Sequence, residues 1–139
     1  MIEFCRAGLD NMLSRKIDMI FANEQEAMAY TGTDNLDAAQ EQLKEISHAS
    51  AITLGEKGAI IFDGDNSCHV DAHTVDAIDT NGAGDLFAGA YLYGISHGYS
   101  AENAAKLASY ASGILVTQFG PRLNQAFIDQ VKEYGQKVA

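Results

Sequence analysis

The chain has 139 residues, 47% of them apolar and 20% charged, which suits one domain with one core in an ordinary soluble protein. A formal charge of −10 and a pI of about 4.6 argue against nucleic acid or an anionic membrane as partner, because both require a basic surface. They leave phosphorylated ligands open, since backbone N–H groups and Mg²⁺ hold a nucleotide without net positive protein charge. Cys5 and Cys68 are too few for a disulfide framework and wrongly spaced for zinc, so both read as plain thiols in a reducing compartment. The longest apolar run, residues 87–95, is too short to span a bilayer. The opening MIEFCRAGLD lacks the apolar centre of a signal peptide, and a cytoplasmic location is the expectation.

In chain order, residues 9–15 predict a short amphipathic helix and residues 18–21 a buried strand. Asn23 is placed to cap a helix over residues 24–30 that Gly32 closes. Asn35 caps a second helix, 36–47, with Leu36, Ala39, Leu43 and Ile46 at helical spacing. Residues 51–54 and 59–62 predict two strands around the turn Gly55-Glu56-Lys57-Gly58, and residues 68–70 a return strand after a second turn at 64–66. Residues 75–78 are strand-like. The helix at 86–97 is apolar enough to predict burial over most of its surface. Ser100 caps a helix running from Ala101 to about Val116, with Asn103 where a full capping box needs Glu or Gln. Its alanines predict close packing, Gly120-Pro121 a stop, and residues 124–134 a last helix. The order is that of an α/β domain spanning 1–139, without repeats or linkers and with few strands for a doubly wound sheet.

The stretch that carries chemistry is Asp79-Thr80-Asn81-Gly82-Ala83-Gly84-Asp85. A glycine-rich turn at a helix start leaves backbone N–H groups free. The helix dipole adds positive potential there, and glycine lets the backbone approach a bulky anion. That is an anion hole suited to a transferring phosphoryl group. A carboxylate repels a phosphate, so Asp85 makes sense there as a base that takes the proton of an attacking hydroxyl. The competing structural reading makes Asp85 a helix N-cap and the glycines a plain turn.

D-T-N-G-A-G-D followed by L-F-A-G-A resembles the signature of the ribokinase, or pfkB, family of carbohydrate and nucleoside kinases. Asn23-Glu24-Gln25-Glu26 resembles that family's N-x-x-E element, and Thr53-Leu54-Gly55-Glu56-Lys57-Gly58 its T-x-G-x-x-G nucleotide loop. All three occur in the family's order. The resemblance implies the C-terminal part of a three-layer αβα domain, truncated at its N-terminus, and with it a partner supplying the missing half, self-association, or modest stability. It implies ATP-dependent transfer of the γ-phosphoryl group to a hydroxymethyl hydroxyl of a sugar or nucleoside. Asp85 would be the base and Gly82, Ala83, Gly84 and the Asp85 N–H the anion hole. Asn23 and Glu26 would act near Mg²⁺ and the triphosphate, and Thr53, Gly55 and Gly58 would line the ATP site. Asp79 and the Asn81 carbonyl, with carbonyls near residues 115–120, would hold a monovalent cation such as K⁺. The flanking N-E-x-E-A-x-A-Y-T-G and T-Q-F-G-P-R-L resemble bacterial adenosine-kinase-like members most. The alternative is a non-catalytic nucleotide-binding fragment without an acceptor site.

Other candidates fall to simpler readings. Residues 63–67 start like a calcium loop but lack its later Gly and terminal Glu. His69 and His73 have the spacing of a helical metal pair but sit in a strand and turn. Tyr91, Tyr93 and Tyr99 read as packing residues.

Overall fold

A computed structural model describes residues 2–139, with side chains from residue 6 onward; the Cys5 thiol lies outside the described residues. The elements are α1 (Ile2–Met12), β1 (Ile17–Asn23), α2 (Glu24–Thr31), α3 (Leu36–Ile46), β2 (Ser47–Thr53), β3 (Ala59–Phe62), β4 (Ser67–Val70), α4 (Ala83–Ser96), α5 (Ala101–Leu115) and α6 (Gln125–Val138). A single 3₁₀ turn, Gly55–Lys57, joins β2 to β3.

The strands form one mixed sheet in the order β1-β2-β3-β4. β1 and β2 are parallel, with Ile17 opposite Ser47 and Asn23 opposite Thr53. Such a pair needs a crossover, and α2 with α3 supply it. β2, β3 and β4 continue as antiparallel hairpins. Strand alternation sorts the apolar residues into two cores. Ala51, Ala59, Ile61 and Val70 pack with Phe87, Tyr91, Ala104, Ala105 and Ala108 of α4 and α5. Ile52 packs on the opposite face with Ala27, Ala39 and Leu43 of α2 and α3. The result is three layers, helix–sheet–helix. Ile52 and Ile61 are fully buried on opposite faces, and truncating either to Ala costs about 2–5 kcal/mol. The alanines of α5 permit a close crossing: a Cβ on Gly94 of α4 would lie 2.8 Å from Ala104 Cβ.

The caps behave as their residue types dictate. Asn23 Oδ1 accepts the Glu26 N–H, and Glu26 returns a bond to the Asn23 N–H. Gly32 closes α2 in the left-handed region at φ 70°. Asn35, Ser100 and Asn124 each accept a first-turn N–H.

Four expectations are corrected. The first helix covers Ile2–Met12 and stops short of residues 13–15. Residues 75–78 form no strand. The last residue of this segment is held to the end of α5: Ile78, with the following Asp79, donates to the carbonyl of the cap residue Val116. α5 ends at Leu115, within a residue of the expected end, but what closes it is a turn of the Thr117 and Gln118 N–H groups and not Gly120-Pro121. Finally, α4 buries only Phe87, Tyr91 and Gly94. Leu92, Tyr93 and Ile95 are 50%, 51% and 42% exposed, because one face of α4 meets α5 and the sheet while the other carries no layer among the described residues.

Candidate active site

The sequence at the start of α4 decides its geometry. Gly82 is the N-cap residue, at φ 80°, and gives no side-chain cap. A Cβ there would fall 2.7 Å from Pro121 Cβ, so the turn requires glycine twice over, for backbone conformation and for space. Asp85 is the third helical residue, is exposed, and joins no ion pair or capping bond among the described residues. The N-cap reading of Asp85 is therefore excluded. The N–H groups of Gly82, Gly84 and Asp85 have no backbone partner among the described residues, whereas Ala83 donates to the Thr80 carbonyl at 3.2 Å. Of the four donors expected from the sequence, three are open and Ala83 is spent on the turn. Nothing lies within 4 Å of where a Gly84 Cβ would stand, so space for an anion adjoins free donors at a positive helix end.

A cleft of about 520 Å³ adjoins this turn, and its walls join two of the sequence motifs: Thr53, Gly55 and Gly58 on one side, Thr80, Ala83 and Gly84 on the other. The nucleotide-type loop is tightly built. Leu54 N–H donates to the Gly58 carbonyl at 2.8 Å, and a Cβ on Gly58 would come within 2.0 Å of the Val70 carbonyl oxygen. Gly58 thus holds the strand junction, while Gly55, with open space beyond its Cα, leaves room for a ligand.

Asn23 and Glu26 do not line the cleft. They are occupied with each other in the capping box, although Asn23 stands beside Thr53 in the sheet register. Asp79 does not line it either. One carboxylate oxygen accepts the Asn81 N–H and the other the Gly120 N–H, both at 3.0 Å. These bonds, Gly120 first, hold its carboxyl below the usual aspartate range. They tie the loop before α4 to the loop after α5, bringing together the two segments expected to hold a monovalent cation. Among the described residues no three His, Cys, Asp or Glu side chains gather at metal-binding distance. A Mg²⁺ here would depend on phosphate oxygens and water for its ligands. Cys68 is a half-buried free thiol, pushed up in pKa mainly by burial.

Sequence reasoning missed the cleft's other wall. His73, Val75, Ala77, Ser109, Ser112, Gly113 and Val116 line it. These residues come from the stretch 73–77, part of it read as a strand, and from the C-terminal half of α5 with its cap residue, and no local motif links them.

With this geometry in place, comparison with known proteins gives the family. The pfkB family of carbohydrate kinases matches residues 3–126, and the chain belongs to it. It is 34% identical over 116 residues to the ribokinase of Lactococcus lactis, covering 84% of this chain and 38% of that protein. It is 34% identical over 132 residues to the deoxyribokinase of Salmonella typhi, covering 91% and 43%. The adenosine kinase structure from Sinorhizobium meliloti superposes with a TM-score of 0.88 at 34% identity, covering 95% of this chain and 41% of that one. Two Escherichia coli structures at 23% identity share the fold alone; one was solved with ATP and Mg²⁺ and the other with potassium. The chain spans about two fifths of the length of these relatives, and its fold corresponds to part of a ribokinase-like domain. Among the described residues no helix is long and apolar enough to cross a membrane.

Proposed function

We propose that this chain carries the phosphoryl-transfer machinery of an ATP-dependent sugar or nucleoside kinase of the cytoplasm, with a hydroxymethyl hydroxyl as acceptor. The observation that supports this most is Asp85: an exposed carboxylate without a structural partner among the described residues, in the first turn of a helix where the Gly84 and Asp85 N–H groups are open. Placed there, Asp85 takes the proton of the attacking hydroxyl. The Gly82, Gly84 and Asp85 N–H groups hold the charge that develops on the transferring oxygens. Thr53 and Gly55 seat the nucleotide, and Gly58 fixes the loop that presents them.

Mg²⁺, when bound, neutralises phosphate charge. Glu26 keeps one carboxylate oxygen outside the capping box and acts toward the metal through water. Asp79 and the Asn81 carbonyl border the site of a monovalent cation, K⁺ by the family's habit, which adds positive potential behind the anion hole. Adenosine is the acceptor we favour, on the two flanking stretches that resemble adenosine kinases. Ribose-type sugars stand next to it, given the ribokinase and deoxyribokinase relatives.

A second reading is nucleotide binding without transfer. It draws on the short span relative to the family and on a cleft lined by nucleotide-side motifs, because transfer also needs an acceptor held in line. Calorimetric titration with ATP and Mg²⁺, followed by product analysis with adenosine, ribose and fructose, separates the two. Binding with product supports the kinase, binding without product supports the second reading, and no binding removes both.

A further inference from the structure

The cleft has a phosphate-competent side and an apolar side, and the apolar side carries one exposed aromatic ring. That ring is His73, set among the small residues Ala72, Val75 and Gly113. An exposed imidazole ordinarily swings free. The residue that carries this one is held from three directions. Its backbone N–H donates to Ser109 Oγ at 3.2 Å, and Ser109 Oγ donates in turn to the Asp71 carbonyl at 2.9 Å. Its Cβ presses on α5 at Gly113, where an added Cβ would sit 2.9 Å away. Its ring lies 4.6 Å from that of Tyr110, which stacks on Tyr134 of α6 at 4.1 Å and 7°. The ladder His73–Tyr110–Tyr134 runs from the cleft wall to the last helix and fixes an aromatic plane at the cleft's edge.

We propose that His73 is the base-stacking residue of this cleft, the side chain that makes it prefer a nucleoside triphosphate over a bare polyphosphate. The proposal rests on the nucleotide reading given above and adds to it the residue that recognises the planar heteroaromatic group. A pre-oriented ring loses little freedom on binding and offers a π-face to any base. The neighbouring wall of Val75, Ala77 and Val116 excludes water from the base's edge without hydrogen-bonding it. Stacking of this kind discriminates base from no base more strongly than one base from another.

The test is calorimetric titration of the whole chain with Mg²⁺-ATP and with Mg²⁺-tripolyphosphate, for wild type, His73→Leu and His73→Phe, with folding checked by circular dichroism. Leu keeps volume and loses the π-face; Phe keeps the face. The proposal expects His73→Leu to weaken ATP by roughly tenfold with tripolyphosphate unchanged, and His73→Phe to restore ATP. Unchanged ATP affinity in His73→Leu, or a parallel loss of both ligands that Phe does not rescue, would overturn it. A wild type that binds neither ligand would overturn the nucleotide reading and this proposal with it.

Discussion

Two glycines, two positions apart in sequence, separate structure from chemistry at the head of α4. Gly82 has φ 80° and no room for a methyl group against Pro121. Gly82→Ala is expected to cost about 1–3 kcal/mol, read by denaturant melting. Gly84 is helical with open space beside it. Gly84→Ala is expected to melt no lower than wild type, since alanine favours helix by up to about 1 kcal/mol, and yet to lose ATP affinity as the methyl fills the anion's place. A Gly84→Ala protein that binds ATP like wild type would move the anion hole elsewhere. Asp79 adds a pH signature. Its folded-state pKa lies below its ordinary value because the Gly120 and Asn81 N–H groups favour the charged form. The stability it contributes is present above the ordinary aspartate range and fades as pH falls through the lowered value. Asp79→Asn is therefore expected to melt below wild type at neutral pH, with the gap closing under acid. A gap that widened on acidification would contradict the assignment.

At the scale of elements, what the sequence made legible was local. Asn23, Asn35 and Ser100 announced their helices because a cap depends on residues within one turn, and the 55–58 turn joined its two strands as glycine placement required. What it hid was long-range. Residues 75–78 read like a strand, but the Ile78 N–H donates to Val116, some forty residues on, and no window around 75–78 contains that partner. The apolar wall of the cleft was invisible for the same reason. Asn23 was legible as a helix cap, but the bond that Glu26 returns to the Asn23 N–H, which completes a capping box, went unread. Asn23→Ala is accordingly expected to cost about 1 kcal/mol of stability whatever it does to activity, and an unchanged melting temperature would count against the box.

For the whole molecule, the family is certain from the match over residues 3–126, and the three-layer arrangement follows from the two cores on either side of the sheet. The apolar composition of α4 did not reveal which face was covered, because Leu92 and Ile95 look in sequence like Phe87 and Tyr91. The distinction is testable. Leu92→Lys is expected to change stability by no more than about 0.5 kcal/mol, whereas Phe87→Ala, which empties the core, is expected to cost about 3–5 kcal/mol. Similar costs for the two would mean that the exposed face of α4 is covered in solution.

In the proposed function Asp85 acts as a base and not as a structural group. The most direct test is transfer of labelled phosphate from γ-labelled ATP, in Mg²⁺ and K⁺, to adenosine, ribose or fructose, by wild type and Asp85→Asn side by side, with ATP affinity measured for both. For this role of Asp85, labelled product is expected from wild type, with a fall of about 10²–10⁴ in turnover for Asp85→Asn and unchanged ATP affinity. Product from Asp85→Asn at the wild-type rate, or a loss of turnover matched by an equal loss of ATP binding, would contradict it.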